Sequence, residues 1–576
     1  MKLLRLPRLH TLFLSLTALV LAACASAPSG TAAPAPSAKV SEPPVHLLGV
    51  AKDEPGWWKA AKGPAYQVLV YSFADSNGDG WGDLKGLTQH LDYLNDGKGA
   101  QGHSLNVSVI WLSPIFPADS YHGYDVDNYF AIDPKWGTMQ DFENLVAAAH
   151  KRGIKVILDM PFNHTGRGNP WFQSFANNPK GRYGNWYIQK NPKVTYGYGE
   201  GGWNTTYDED SNPVVYYSSF WAGMPDLNAS NPQVIQEYHK ILKFWLERGV
   251  DGFRFDAAKF IFNAGKYPRG TPTVKLNNEF WSSLRSYART INPNVFFLGE
   301  IYSWSVPELA AYADSLDSDF DFADAHTMIN IIGGGSFSGL NSMEKSSLAI
   351  FDQHPGFTPS TLLTNHDQDR LMSQLMVLTG QDPVFSLQMN KFAAAVEQTL
   401  PGLPWVYYGE ELGMIGARYM NDDVARRDDF IWNNDRGSPP NPTWAISNGH
   451  DAVDQNDNTP SVATQNKDPK SLLNFYRRLS DLRVASPAIQ GGTYQPMTWN
   501  NFTANEMYAY ERVAPTQTVL VVHNMDTHSP RLPLPAGLKL VPFWNSVEGL
   551  LPAGQKSISG QLTIPASQST VWVVEK

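Results

Sequence analysis

Eight short apolar runs, most of them separated by helix-like stretches, constrain the fold of this chain more than any other feature. They lie at Tyr66–Phe73, Val107–Phe116, Ile154–Asn163, Val250–Asp256, Val295–Glu300, Phe320–His326, Thr361–Asp367 and Leu403–Glu410. Each is rich in Val, Ile, Leu or Phe and bounded by loop residues, the pattern of a buried strand. Between them, Asp141–Arg152 (Phe142, Leu145, Val146, Ala149) and Val234–Glu247 (Ile235, Tyr238, Ile241, Leu242, Trp245) place apolar residues at helical spacing. Eight strand–helix units in series predict an α/β fold, a (β/α)8 TIM barrel. Three runs end on a carboxylate: Asp256, Glu300 and Asp367. A parallel barrel keeps its chemistry at the carboxyl ends of its strands, so the three predict one acid cluster.

Two regions break the rhythm. Residues 165–225, rich in Gly, Asn, Trp and Tyr, are too long for an ordinary loop and predict a small inserted domain after strand three. The barrel then occupies 63–164 and 226–486, ending on a helix-like stretch at Ser471–Val484. After it, Tyr508–Val513, Thr518–His523 and Thr570–Val574 read as strands of a C-terminal β-sandwich over 487–576.

At the other end, Lys2, Arg5 and Arg8 precede an apolar run from Thr11 to Ala23, the layout of a signal peptide over 1–23. Leu21-Ala22-Ala23-Cys24 resembles the lipobox of bacterial lipoproteins. That resemblance implies acylation of Cys24 and a lipid anchor to the membrane at the bacterial cell envelope, on the outer membrane or facing the periplasm or exterior. Residues 24–62 form a tether that begins Ala/Pro/Ser-rich. Cys24 is the only cysteine, which excludes disulfides and cysteine-based metal or nucleophile chemistry from the mature chain. A net charge of −10 argues against nucleic acid as a partner, while 12% aromatic and only 17% charged residues suit flat, hydroxyl-rich ligands.

Five motifs in order give the chain its resemblance to the α-amylase family of glycoside hydrolases, over Tyr66 to the C-terminus. They are Asp159-Met-Pro-Phe-Asn163-His164, Met224-Pro-Asp-Leu-Asn228, Gly252-Phe-Arg254-Phe-Asp256-Ala-Ala-Lys259, Gly299-Glu300 and Asn365-His366-Asp367. The resemblance implies that Asp256 is the nucleophile, Glu300 the acid/base and Asp367 the third acid, which binds hydroxyls and steadies the transition state. Arg254 would support the nucleophile. His164 and His366 would donate to sugar hydroxyls, Tyr124 would stack beneath the ring, and Lys259 would stand on the leaving-group side. Asp159 reads as a buried support. Breaking an acetal with retention needs such a nucleophile and acid, with the acid's pKa raised.

Ala257 resembles members that cut α-1,4 bonds, and Tyr121 stands where strict exo-glucosidases usually carry Asp. The sequence also departs from the family. Phe260 follows Lys259 where many α-amylases have His, and Arg427-Asp-Asp-Phe-Ile-Trp432 matches a substrate-side segment only loosely. Asp75-Ser-Asn77-Gly-Asp79-Gly-Trp81-Gly-Asp83 puts oxygen ligands at alternate positions of a Gly-rich loop. It resembles a calcium loop of some relatives and predicts structural Ca2+ remote from the chemistry. Gly197-Tyr-Gly-Glu-Gly-Gly202 fits a dinucleotide fingerprint in letters only, lacking the flanking strand and helix, so no nucleotide cofactor is expected.

The expected activity is that of a retaining α-glucan hydrolase acting on α-1,4 bonds of starch or maltooligosaccharides. A transglycosylase or α-glucosidase of the same family is the nearest alternative; a non-catalytic glucan-binding lipoprotein is the alternative from another class. Metabolic labelling with a fatty acid is expected to mark the wild type and to be lost in Cys24→Ala; label retained by the variant would refute the anchor.

Overall fold

The computed structural model describes residues 56–418, 422–445, 456, 458–497 and 506–575. The signal peptide, Cys24 and most of the tether lie outside the described residues. Eight parallel strands form one sheet: β1 (Ala65–Val68), β2 (Val109–Leu112), β3 (Lys155–Met160), β4 (Gly252–Phe255), β5 (Phe296–Gly299), β6 (Ser318–Asp319), β7 (Ser360–Leu362) and β8 (Leu403–Tyr407). Their order is β6-β5-β4-β3-β2-β1-β8-β7, and a parallel bridge between Phe320 and Ser360 joins the two ends into a barrel.

Helices cover the outside and side chains fill the inside, so the strands are buried on both faces. The two-residue period sorts them. Val109, Trp111, Ile157, Leu298, Leu403 and Trp405 share one interior cluster with Trp58, whose ring packs 5.0 Å from Phe296. Ile110, Leu112, Val156, Leu158, Phe253 and Phe255 belong to the larger cluster under the helices. The same parity carries Gln67, Asp159 and Arg254 to inward positions near the carboxyl ends of β1, β3 and β4, where all three are buried.

The helices begin where local chemistry starts them. Met139–Lys151 opens on a capping box in which Thr138 and Asp141 satisfy each other's backbone amides. Pro232–Leu246 starts with an Asn231 cap and proline in its first turn.

The sixth run departs from the expectation. β6 covers two residues, and Phe322–Gly333 is a helix capped by Asp321, whose side chain accepts from the Asp324 amide. Phe320 and Phe322, two apart, mimic a strand. Beyond them, the buried residues Ala325, Met328, Ile329 and Ile332 follow helical spacing under that cap. The first run is also split, since β1 stops at Val68 and Val70–Phe73 makes a helical turn.

Within the insertion, helix Pro170–Asn177 packs on an antiparallel hairpin of Gly202–Tyr207 and Pro213–Ser218, with Phe172 in edge contact with Tyr187 and Tyr216. The glycine run at 197–202 therefore leads into a hairpin strand. The C-terminal region is all-β after a short helix: a six-stranded antiparallel sheet built around Met507–Ala514, Gln517–Asn524, Lys539–Asn545 and Gln568–Glu575. One face meets the barrel, where the Thr399 and Tyr510 hydroxyls lie 2.6 Å apart. The other packs Leu520, Val522 and Trp572 against Leu532 and Leu562 of a two-stranded sheet.

Candidate active site

Arg254 and Asp159 are direct register partners on β4 and β3, so their side chains meet inside the barrel mouth. The Arg254 Nη1 donates to both Asp159 oxygens at 2.8 and 2.9 Å and to Asp256 Oδ1 at 2.9 Å. Its Nη2 lies 2.9 Å from Glu300 Oε1, an ion-pair contact whose N–H is not aimed along a hydrogen bond. One fully buried guanidinium thus serves three carboxylates. Asp256 and Glu300 each keep 12% of their side chain open to the cleft. Ala257, directly after Asp256, has φ +50°, and its N–H donates to Glu300 Oε2 at 2.9 Å. The left-handed turn, disfavoured for a residue with a side chain, aims that amide at Glu300.

A further set of contacts centres on His366. The Gln67 amide donates to its Nδ1 at 2.8 Å, which leaves the proton on Nε2. Nε2 lies 2.7 Å from the Tyr124 hydroxyl, which in turn donates to Asp159 at 2.8 Å. The Tyr124 ring is stacked on His366 at 5.5 Å and lines the cleft. Asp367 receives the Arg427 Nη2 at 2.9 Å and has His366 at 3.3 Å, with 40% of its side chain exposed. Tyr124, Asp256, Asp367 and Arg427 border a cavity of about 490 Å³ that Phe220 and Trp221 of the insertion also line.

The charges differ with their surroundings. Burial pushes Glu300 up to about 7, against the pull of Arg254, with the Asp256 and Asp367 charges adding to the rise. Burial also raises Asp256 to about 7, again opposed by Arg254, and the two carboxyls titrate as a pair. Asp367 is different. Although burial acts to raise it, the His366, Arg427 and Arg254 partners bring it down to about 2. Burial lowers His366 to about 3, so the ring is neutral.

The structure therefore brings together Asp256, Glu300, Asp367, Arg254, Tyr124 and His366. His164 lines the same cavity, but its Nε2 faces the Tyr124 carbonyl at 3.2 Å instead of pointing freely at a ligand. Lys259 bonds the Tyr302 carbonyl at 2.7 Å, in the loop beyond Glu300. Sequence reasoning missed Gln67, though a glutamine at an inward position of a buried strand was a signal. It also left Arg427 without a role.

In the 75–83 loop, Asp75 accepts the amides of Asn77, Gly78 and Gly80, Asp79 accepts that of Trp81, and Asp83 accepts those of Ser76 and Gly86. Gly78 and Gly80, at φ +83° and +94°, allow this winding. Among the described residues no three His, Cys, Asp or Glu side chains converge as a metal cradle. The oxygen-only donor set nonetheless suits a hard cation, and each carboxylate is already turned into the loop by its amides. The loop is less remote from the chemistry than expected. Trp81 stacks on Trp444 at 5.1 Å, Trp444 on Tyr121 at 5.0 Å, and the Tyr121 hydroxyl receives Arg427 at 3.2 Å.

Lys266 holds Asp226, the point where the chain re-enters the barrel, and through it fastens the insertion. Its buried Nζ donates to Asp226 at 2.7 Å and to Asn163 at 2.9 Å, and Asp226 also takes the amide and hydroxyl of Ser219, the neighbour of Phe220.

The chain is similar to known proteins along most of its length. The profile described as Alpha amylase, catalytic domain, matches residues 67–492. Alpha-amylase 3 of Dictyoglomus thermophilum is 36% identical over 471 residues, covering 82% of this chain and 85% of that protein. The amino acid transporter heavy chain SLC3A1 of Rattus norvegicus is 30% identical over 84% of this chain and 73% of its own length. The crystal structure of an alpha-amylase from H. orenii superposes with a TM-score of 0.76 at 34% identity, covering 89% of this chain and 99% of that one.

Lys266→Met leaves the Asp226 carboxylate buried without its cation, a loss of about 3–5 kcal/mol. The urea midpoint is expected to fall sharply in that variant and to recover in part in Lys266→Met/Asp226→Asn. A single variant as stable as wild type would refute the fastening role.

Proposed function

The chain belongs to the α-amylase family of glycoside hydrolases, and on that premise we propose that it is a retaining α-glucan hydrolase. Its substrates are starch or maltooligosaccharides, cut at internal α-1,4 bonds. The observation that carries this reading is the attachment of Asp256 and Glu300 to the two terminal nitrogens of one guanidinium. Such sharing suits the carboxyl separation of about 5 Å that retention needs, not the wider gap that admits a water between acid and base.

Asp256 attacks the anomeric carbon while Glu300 gives its proton to the glycosidic oxygen, so the bond to the leaving sugar breaks as the Asp256 ester forms. Water then attacks the same carbon, Glu300 takes the water's proton, and the Asp256 carboxylate is released. The aligned hydrogen bond from Arg254 favours the negative charge on Asp256; the misaligned contact with Glu300 favours keeping the pair's proton there. Asp367, ionised and half open, is fitted to bind hydroxyls and to face the positive charge that develops on the sugar.

Internal cleavage is supported by aromatic surface on both sides of the acid pair. Trp221 is 55% exposed on the cavity wall, and Trp304 is 52% exposed in the loop after Glu300. Tyr302 and Trp304 also favour a second reading, in which a sugar held there competes with water for the ester. Ala257 and Lys259 support the α-1,4 choice by resemblance, and Tyr121 weighs against a strict exo-glucosidase. The intact acid pair weighs against a purely binding role like that open to a transporter-associated relative. For the 75–83 loop we propose a structural Ca2+ held by Asp75, Asn77, Asp79, Asp83 and the Trp81 carbonyl.

Asp256→Asn and Glu300→Gln are each expected to lower kcat on maltoheptaose by about 10⁴-fold with folding intact. Products longer than the substrate would reveal transfer, and release of glucose alone would refute internal cleavage. The active pair holds one proton, on Glu300. Wild-type kcat/KM should therefore fall as pH rises through about 7 and the acid ionises, and fall again in acid as Asp256 is neutralised. A rate that stays flat up to pH 9 would remove Glu300 as the acid. Thorough chelation followed by calorimetry should lower Tm, with recovery on adding Ca2+; an unchanged Tm would remove the ion from the loop.

A further inference from the structure

A second cavity of about 330 Å³ opens between the barrel and the C-terminal sheet, away from the acid cluster. Its walls come from helix Pro383–Thr399 (Lys391), helix Leu472–Ala485 and the residues before it (Lys470, Phe475, Arg478), and the sheet, where Ser546 follows one strand and Ser569 lies in another. Lys391 and Arg478 stand 5.8 and 5.9 Å from the centre of the same Phe475 ring. Lys391 Nζ donates to the Lys470 carbonyl at 3.0 Å, and Arg478 donates to the carbonyls of Ser546 and Pro469 at 3.2 and 2.8 Å.

None of the three cations forms an ion pair among the described residues, and no carboxylate lines the cavity. The carboxylates that act on them, Asp468 on Lys391 and Asp481 on Arg478, lie outside its walls. Burial and the Arg478 charge both disfavour the Lys391 ammonium. Three like charges gathered around a hollow, in a chain of net charge −10, repel one another unless an anion joins them. The volume is that of a small-molecule site, and the Phe475 face and Ser546 offer packing and hydrogen bonds beside the cations.

We propose that this crevice binds a small phosphoryl compound, its phosphoryl oxygens held by Lys391, Lys470 and Arg478. A guanidinium and two ammonium groups are the donors that such oxygens select. A ligand seated there touches both the barrel and the sheet, so it binds the folded junction and not the unfolded chain, and it raises Tm by mass action.

The test is calorimetric titration and thermal denaturation of the whole protein with inorganic phosphate, glucose 1-phosphate or, at matched ionic strength, sodium chloride. Saturable binding and a raised Tm with either phosphate but not with chloride are expected. Tighter binding of glucose 1-phosphate would identify a sugar phosphate as the ligand, and equal binding would identify the phosphoryl group alone. Lys391→Met and Lys470→Met should each weaken binding by about tenfold, the worth of one charge-assisted hydrogen bond, and leave maltoheptaose hydrolysis unchanged. Stabilisation matched by chloride, or phosphate binding unaltered in both variants, would overturn the site. Two separate variants keep the result readable if either folds poorly.

Discussion

One guanidinium, that of Arg254, sets the charge balance on which the catalytic end of the barrel depends. It is inaccessible to water and borders Asp159, Asp256 and Glu300, so its single positive charge cannot neutralise all three. The surplus is resolved by geometry. Asp159 receives two aligned hydrogen bonds, Asp256 one, and Glu300 an unaligned contact. That gradient gives three chemically similar side chains three different settings, as the support, nucleophile and acid proposed above require. The Trp111 ring lies 4.9 Å from the guanidinium and its N–H bonds Asp159 at 3.0 Å, so the barrel's hydrophobic filling also holds the polar centre in place.

Much of this was legible in the sequence because strand parity is rigid. Once Asp256 was placed at a strand end, Arg254 had to share its face, and the motif at 159–164 had to fall on the adjacent strand. Loops carry no such rule. Arg427 reaches Asp367 from 60 residues further along, with no local pattern to mark it. The histidines show a subtler limit. Their positions at the cleft were foreseeable, but what each ring nitrogen faces depends on Gln67 and the Tyr124 carbonyl, which come from other strands and loops. At the sixth strand two local signals compete: Phe320 and Phe322 alternate as in a strand, but the Asp321 cap decides where the helix begins.

The fold by itself does not select catalysis. A transporter heavy chain is 30% identical to this chain over 73% of its own length, whereas the other relatives described above carry the name of amylase. In this chain burial raises two carboxyls, Asp256 and Glu300, to about 7, while the partners of a third, Asp367, bring it down to about 2. The insertion contributes the opposite wall, and its attachment through Lys266 uses a cation that the chain itself provides.

The stacked rings from Trp81 through Trp444 to Tyr121 bear on how such a sequence can diverge. Because Tyr121 also receives Arg427, and Arg427 holds Asp367, the glycine-rich loop and Asp367 are joined by a few contacts. The packing of Trp81 thus bears on where Asp367 stands, so a change in this surface turn reaches the cleft through a relay of rings and one guanidinium.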